Sequence, residues 1–248
     1  MNNFVSNIEL EEIAESLILA YTDGCSEELQ CVDIEGLIEE YLLLPIKYVQ
    51  MAEKDLDKLG FISDGKTPLC VYQNGNKTNI IYPLNTIVID KYLLGIKESG
   101  KKRFTLAHEV GHLILDKLTA DVPRANFYRE YDNENEYSIQ ELHNRMNLSE
   151  LQANTFAASL LMPKFLLDKT MKKYAAGRRL PIYGNSVLKH REKVIINKMA
   201  DALGVSFTAL VIRLRKLGYF NQHDMNEYLT QELHIGGGMN GNTSKFTT

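Results

Sequence analysis

Two histidines four residues apart, with a glutamate directly after the first, make His108, Glu109, Val110, Gly111 and His112 the segment of this 248-residue chain best equipped for chemistry. On a helix of about 3.6 residues per turn, positions i and i+4 share a face. Both imidazoles can therefore reach one tetrahedral cation, and Glu109 lies beside the position left for water. The chemistry served by such a group is metal-assisted hydrolysis, with the carboxylate carrying protons. Gly111 costs about 1 kcal/mol against alanine in a helix interior, so its place in an apolar run predicts that another segment comes close there.

A hydrolytic site needs a third protein donor and one open position. Positions 115 and 118 are both leucine, so the extended motif with a third histidine is absent. The nearby candidates are Asp116, Asp121, Glu141, His143 and Glu150. Asp116 is one turn past His112 and has a poor angle for completing a tetrahedron. Glu150 opens a run to Pro163 that reads as a second helix, with Ser149 as its N-cap and Pro163 as its stop. Asn154 follows Glu150 by four residues, on the same face, and can orient a ligating histidine.

These residues have to be positioned by an order of elements that runs α, then β, then α. Helical periodicity covers Ile8 to Tyr21 and Asp33 to Leu43, ahead of a break at Pro45. Short β-like runs follow at Ile46 to Gln50, Gly60 to Ser63, Leu69 to Gln73, Thr78 to Tyr82 and Thr86 to Asp90, with Asn74 and Gly75 as a hairpin turn. In the motif helix, Leu106, Val110, Leu113 and Lys117 fall on a side turned away from the histidines, which predicts one packed face and one metal-holding face. The expected class is α+β: a zincin-like core of a small sheet and the motif helix, followed by a helical C-terminal subdomain. An edge strand of that sheet can take an extended substrate by β-augmentation. Asp121 to Asn147, acidic and rich in tyrosine, reads as a flap or connector beside the cleft, and Tyr131, Tyr137 and His143 within it are candidates for stabilising an oxyanion.

The string Lys102 to His112 (KRFTLAHEVGH) and, in order, Glu150 to Pro163 (ELQANTFAASLLMP) resemble the ImmA/IrrE family of zinc metallopeptidases. The resemblance implies one Zn2+ per chain held by His108, His112 and Glu150 in the manner of gluzincins, with Glu109 as the catalytic acid/base. It extends more loosely to Asp33–Tyr48 and Thr86–Asp90, and the stretch between the two blocks is longer than usual for the family. It also implies a protein substrate, a helix-turn-helix repressor whose cleavage frees a mobile element, prophage or stress regulon. The competing reading is a DNA-associated regulator or partner-binding module that keeps the fold without hydrolysis.

A hydrophobic content of 44% allows a sizeable core. No apolar run approaches the roughly 18 residues of a membrane span, and an N-terminus carrying Glu9, Glu11, Glu12 and Glu15 does not read as a signal peptide. Three cysteines, Cys25, Cys31 and Cys70, are expected as reduced thiols; together these features predict a cytoplasmic protein without membrane contact. The net charge of −4 hides an asymmetry: Lys164 to Phe220 holds 13 Lys and Arg against 3 Asp and Glu. That excess either docks the two parts of the chain or offers a surface for DNA or an acidic partner. Within it, Ile195 to Leu217 reads as two helices around Gly204, Val205 and Ser206, a helix-turn-helix pattern. Its cations Arg213, Arg215 and Lys216 sit at the far end from the part that usually reads bases. The expected organisation is a metallopeptidase domain at 1–165, a basic helical subdomain at 166–220 and a flexible tail at 221–248.

Overall fold

The computed structural model describes residues 5–25, 28–52, 58–119, 126–129 and 148–234. Helix α1 (Asn7–Tyr21) opens on a reciprocal cap, in which the Ser6 hydroxyl accepts from the Glu9 amide at 3.2 Å and the Glu9 carboxylate accepts from the Ser6 amide at 2.7 Å. Leu10, Ala14 and Ile18, one turn apart, form its buried stripe. The second helix is less regular than its periodicity predicts. After the single turn α2 (Ile34–Gly36) the chain widens to a π turn at Leu37–Tyr41, closed by the Leu42 amide on the Leu37 carbonyl at 2.9 Å. Leu43 adopts φ +55°, and Pro45 confines its predecessor to extended backbone, so the chain passes straight into a strand.

That strand is β1 (Ile46–Val49), followed by β2 (Lys58–Ile62), β3 (Leu69–Gln73), β4 (Asn76–Ile80), β5 (Ile87–Asp90), the motif helix α3 (Ser99–Thr119) and β6 (Asn126–Arg129). The main sheet has the order β1-β5-β2-β6, with β1 parallel to β5 and the other pairs antiparallel. β3 and β4 form the expected hairpin, whose turn residues Asn74 and Gly75 have φ of 51° and 81°, the left-handed pair that a two-residue turn of this hand requires. Side chains alternate across the sheet: Ile87 and Ile89 enter the main core, while Val88 and Phe61 pack with Leu69 and Val71 under the hairpin. The segment read as a connector from Asp121 to Asn147 contains β6, since a stretch with Phe127 and Tyr128 favours extended backbone and pairs with β2; its other residues lie outside those described.

Helix α3 is covered on its metal-holding side as well as on its packed side. Every residue from Thr105 to Leu113 is buried, because β2 lies across one side of the helix and α4 (Leu148–Leu161) across another. α4 starts one residue before Ser149, so Ser149 sits inside its first turn rather than capping it. It ends at Leu161, and Pro163 occupies the N-cap position of α5 (Lys164–Ala175), where a missing N–H costs nothing.

Strand β7 (Leu180–Tyr183) precedes α6 (His190–Leu203) and α7 (Phe207–Lys216), which meet at 101° across Gly204 at φ +64°, with the Ser206 hydroxyl capping the Ala209 amide at 3.1 Å. Two helices therefore flank the turn at Gly204, Val205 and Ser206. Beyond it, the start of the anticipated tail is ordered: β8 (Phe220–His223) pairs in parallel with β7, and Asp224 caps α8 (Met225–Gln231). Ile235 to Thr248 lie outside the described residues. One apolar cluster runs from Leu10 in α1 to Leu214 in α7. Several cations of the basic region are committed internally. Arg213, 2% exposed, donates to Glu11 of α1 at 2.8 Å and to the Met162 carbonyl at 3.2 Å, and Arg178 meets Glu192 at 3.3 Å. Among the described residues no single helix is long and apolar enough to cross a membrane.

Candidate metal centre

His108 and His112 project from one face of α3, and α4 brings Glu150 to them from the facing helix. The Glu150 carboxylate lies 3.3 Å from His108 Nε2 and 3.2 Å from His112 Nε2, and the two Nε2 atoms are 2.9 Å apart. Tetrahedral ligands about 2.0–2.1 Å from one ion stand roughly 3.3–3.4 Å from each other. The two nitrogen–oxygen separations match that spacing, and the two nitrogens are drawn slightly closer. Among the described residues these three side chains form a group whose donor atoms all lie within 4.8 Å. A pair of imidazoles and a carboxylate is a donor set that suits zinc.

Close packing of the two helices makes this reach possible. A Cβ on Gly111 would stand 3.0 Å from the Ala153 carbonyl oxygen and 3.1 Å from its Cα. This is the close approach that a glycine in the motif predicts, and the approaching segment is the helix that carries Glu150.

Asn154 holds its expected place. Its Oδ1 is 2.9 Å from His108 Nδ1, so Nδ1 carries the hydrogen and the Nε2 lone pair is left facing the centre. Replacing Asn154 by alanine is expected to weaken zinc binding about 10- to 100-fold, read by competition against a chromophoric chelator; unchanged affinity would remove the orienting role. The corresponding Nδ1 of His112 is buried without a hydrogen-bond partner.

Burial shapes the charges here. It pushes the His108 imidazole down, against the pull of Glu150. Burial also works to raise Glu150, but hydrogen bonds to both imidazoles prevail and hold its carboxyl at about 2. Glu109 is fully enclosed. Burial first, and the charge of Glu150 second, push its carboxyl well up, while a backbone group at Ile62 pulls the other way. No side chain hydrogen-bonds either Glu109 oxygen.

Of the five candidates for third donor, Glu150 joins the histidines and Asp116 does not belong to the cluster; Asp121, Glu141 and His143 lie outside the described residues, as do Tyr131 and Tyr137. Gly60, which the sequence shows only as the start of a β-like run, is placed against Glu109 by β2. A glycine inside a strand is the signal that marks such an approach.

No curated protein matches the chain. Residues 85–215, just over half of the chain, match the family model of Peptidase_M78, the IrrE N-terminal-like domain, and the chain belongs to that family of metallopeptidases.

Proposed function

We propose that this IrrE N-terminal-like peptidase is a zinc-dependent endopeptidase of the cytoplasm that cuts a helix-turn-helix repressor, and so releases a mobile element, prophage or stress regulon from control. The observation that carries the hydrolytic reading is the convergence of His108, His112 and Glu150 beside a fully buried Glu109 carboxylate that no side chain hydrogen-bonds. Zinc held by those three side chains would supply Lewis acidity toward a peptide carbonyl and bring the pKa of water down to about 7.

Glu109 carries the proton: an Oε atom accepts it from the attacking water and returns it to the departing amine. Enclosure favours the second half of that task, because a carboxyl disfavoured as an anion keeps its proton until the amine takes it. Asn154 fixes the ring of His108 in one tautomer throughout. β6 ends the main sheet among the described residues and adjoins α3. An extended stretch of substrate pairing with its outer edge would be drawn alongside the motif helix.

Purified protein mixed with the repressor encoded beside its gene is expected to yield one discrete pair of fragments, to stop when a zinc chelator is added and to resume on zinc addition. Cleavage that persists in chelator would reject the metal dependence. An intact repressor, combined with salt-dependent DNA binding by the protein itself, would favour the non-hydrolytic regulator.

A further inference from the structure

We infer that Gly60 is a positioning residue for Glu109: the side chain it lacks is the space that the Glu109 carboxylate fills. The inference rests on the endopeptidase reading for its catalytic consequence, but the placement itself is steric. A Cβ built on Gly60 would fall 2.6 Å from Glu109 Oε1, 3.4 Å from Glu109 Cδ and 2.5 Å from Thr105 Cγ2. Carbon atoms in favourable contact stand about 3.5–4.0 Å apart, so a methyl cannot share this space with the carboxylate where it now lies.

Three further observations point the same way. Gly60 is not among the residues with positive φ, so the position uses the residue's small size and not its conformational freedom. The pairing of β2 with β6 slips register between Lys58 and Gly60, and an irregularity of this kind re-aims a strand locally. Finally, no side chain hydrogen-bonds the Glu109 carboxylate; apart from a backbone group at Ile62, its place is set by the walls around it. Thr105 is one of those walls, its own hydroxyl donating to the Lys101 carbonyl at 3.0 Å and so fixing where its methyl points.

The three nearest atoms a methyl at position 60 would meet all belong to side chains. The fold can therefore absorb Gly60→Ala by moving those ends, and the acid/base carboxylate is one of the two that must move. The damage is directed at proton transfer, while the zinc ligands lie elsewhere.

The test compares the full-length wild-type protein with Gly60→Ala and with Gly60→Ala/Thr105→Ser, which removes the Thr105 methyl contact but leaves the one with Glu109. Gly60→Ala is expected to lower kcat about 100-fold, as for a group displaced by about 1 Å, with KM and zinc content near wild-type. The double variant is expected to recover melting temperature but not kcat. Crystals of zinc-free Gly60→Ala are expected to show the Glu109 carboxylate displaced and His108, His112 and Glu150 in place. Wild-type kcat in Gly60→Ala, recovery of kcat in the double variant, an unmoved carboxylate, or loss of zinc or fold in both variants would each overturn the inference. A wild-type protein that cleaves nothing, with the carboxylate still displaced in Gly60→Ala, would sink the endopeptidase reading and leave the steric placement standing.

Discussion

Glu109→Gln is expected to bind zinc as the unaltered protein does and to cleave about 1,000-fold more slowly, within the span attributed to a positioned acid/base. Glutamine keeps the shape of the side chain, so the walls at Gly60 and Thr105 still accommodate it. It cannot take a proton from water at neutral pH, and that is the loss the rate reports. Stability should not fall. The site already disfavours a charge at this position, and a neutral amide avoids the cost of enclosing an unpaired anion. The measurements are kcat/KM on a peptide spanning the cleaved bond, zinc affinity by calorimetry and the thermal midpoint. Wild-type turnover in Glu109→Gln would remove the proton-carrying role and leave only the metal to explain hydrolysis.

Gly111→Leu is expected to cost about 3 kcal/mol of folding free energy, at the upper end for an overpacked core position. The atoms in the way belong to the backbone of Ala153, which cannot turn aside as a side chain would, so α3 and α4 must separate. His112 adjoins Gly111, and Glu150 lies three residues before Ala153. The same separation therefore pulls the third donor from the histidines, and zinc affinity should fall along with stability. Gly111→Ala is the graded control, because its tighter contact is partly offset by the roughly 1 kcal/mol that alanine contributes in a helix interior. Urea titration of the zinc-free protein reads the first effect and metal competition the second. A Gly111→Leu protein as stable as the original would mean that the crossing has room to spare.

The parts of this site legible in the sequence are those fixed by spacing along one helix. His108 and His112 share a face at i and i+4, and Asn154 follows Glu150 by the same interval; no knowledge of the tertiary fold was needed for either. Glu150 as a ligand was legible because the resemblance joined two blocks that the residues alone left among five alternatives. Contacts made across the fold were harder to read. Gly60 meets Glu109 because the sheet sets β2 against α3. That the metal-holding side of α3 is itself covered by a second helix was not readable for a similar reason. β7 and β8 pair in parallel across some 40 residues, a pairing with no local signal. Arg213 read only as part of a basic region that either docks the two parts of the chain or offers a surface, and its partner Glu11 lies near the other end of the chain.

His108, Glu109 and His112 are wholly enclosed, whereas the Glu150 side chain keeps 17% of its surface in contact with solvent. Among the described residues, the side of the centre open to solvent is therefore the opening turn of α4, and exchange of an ion with solvent is expected to run past this carboxylate.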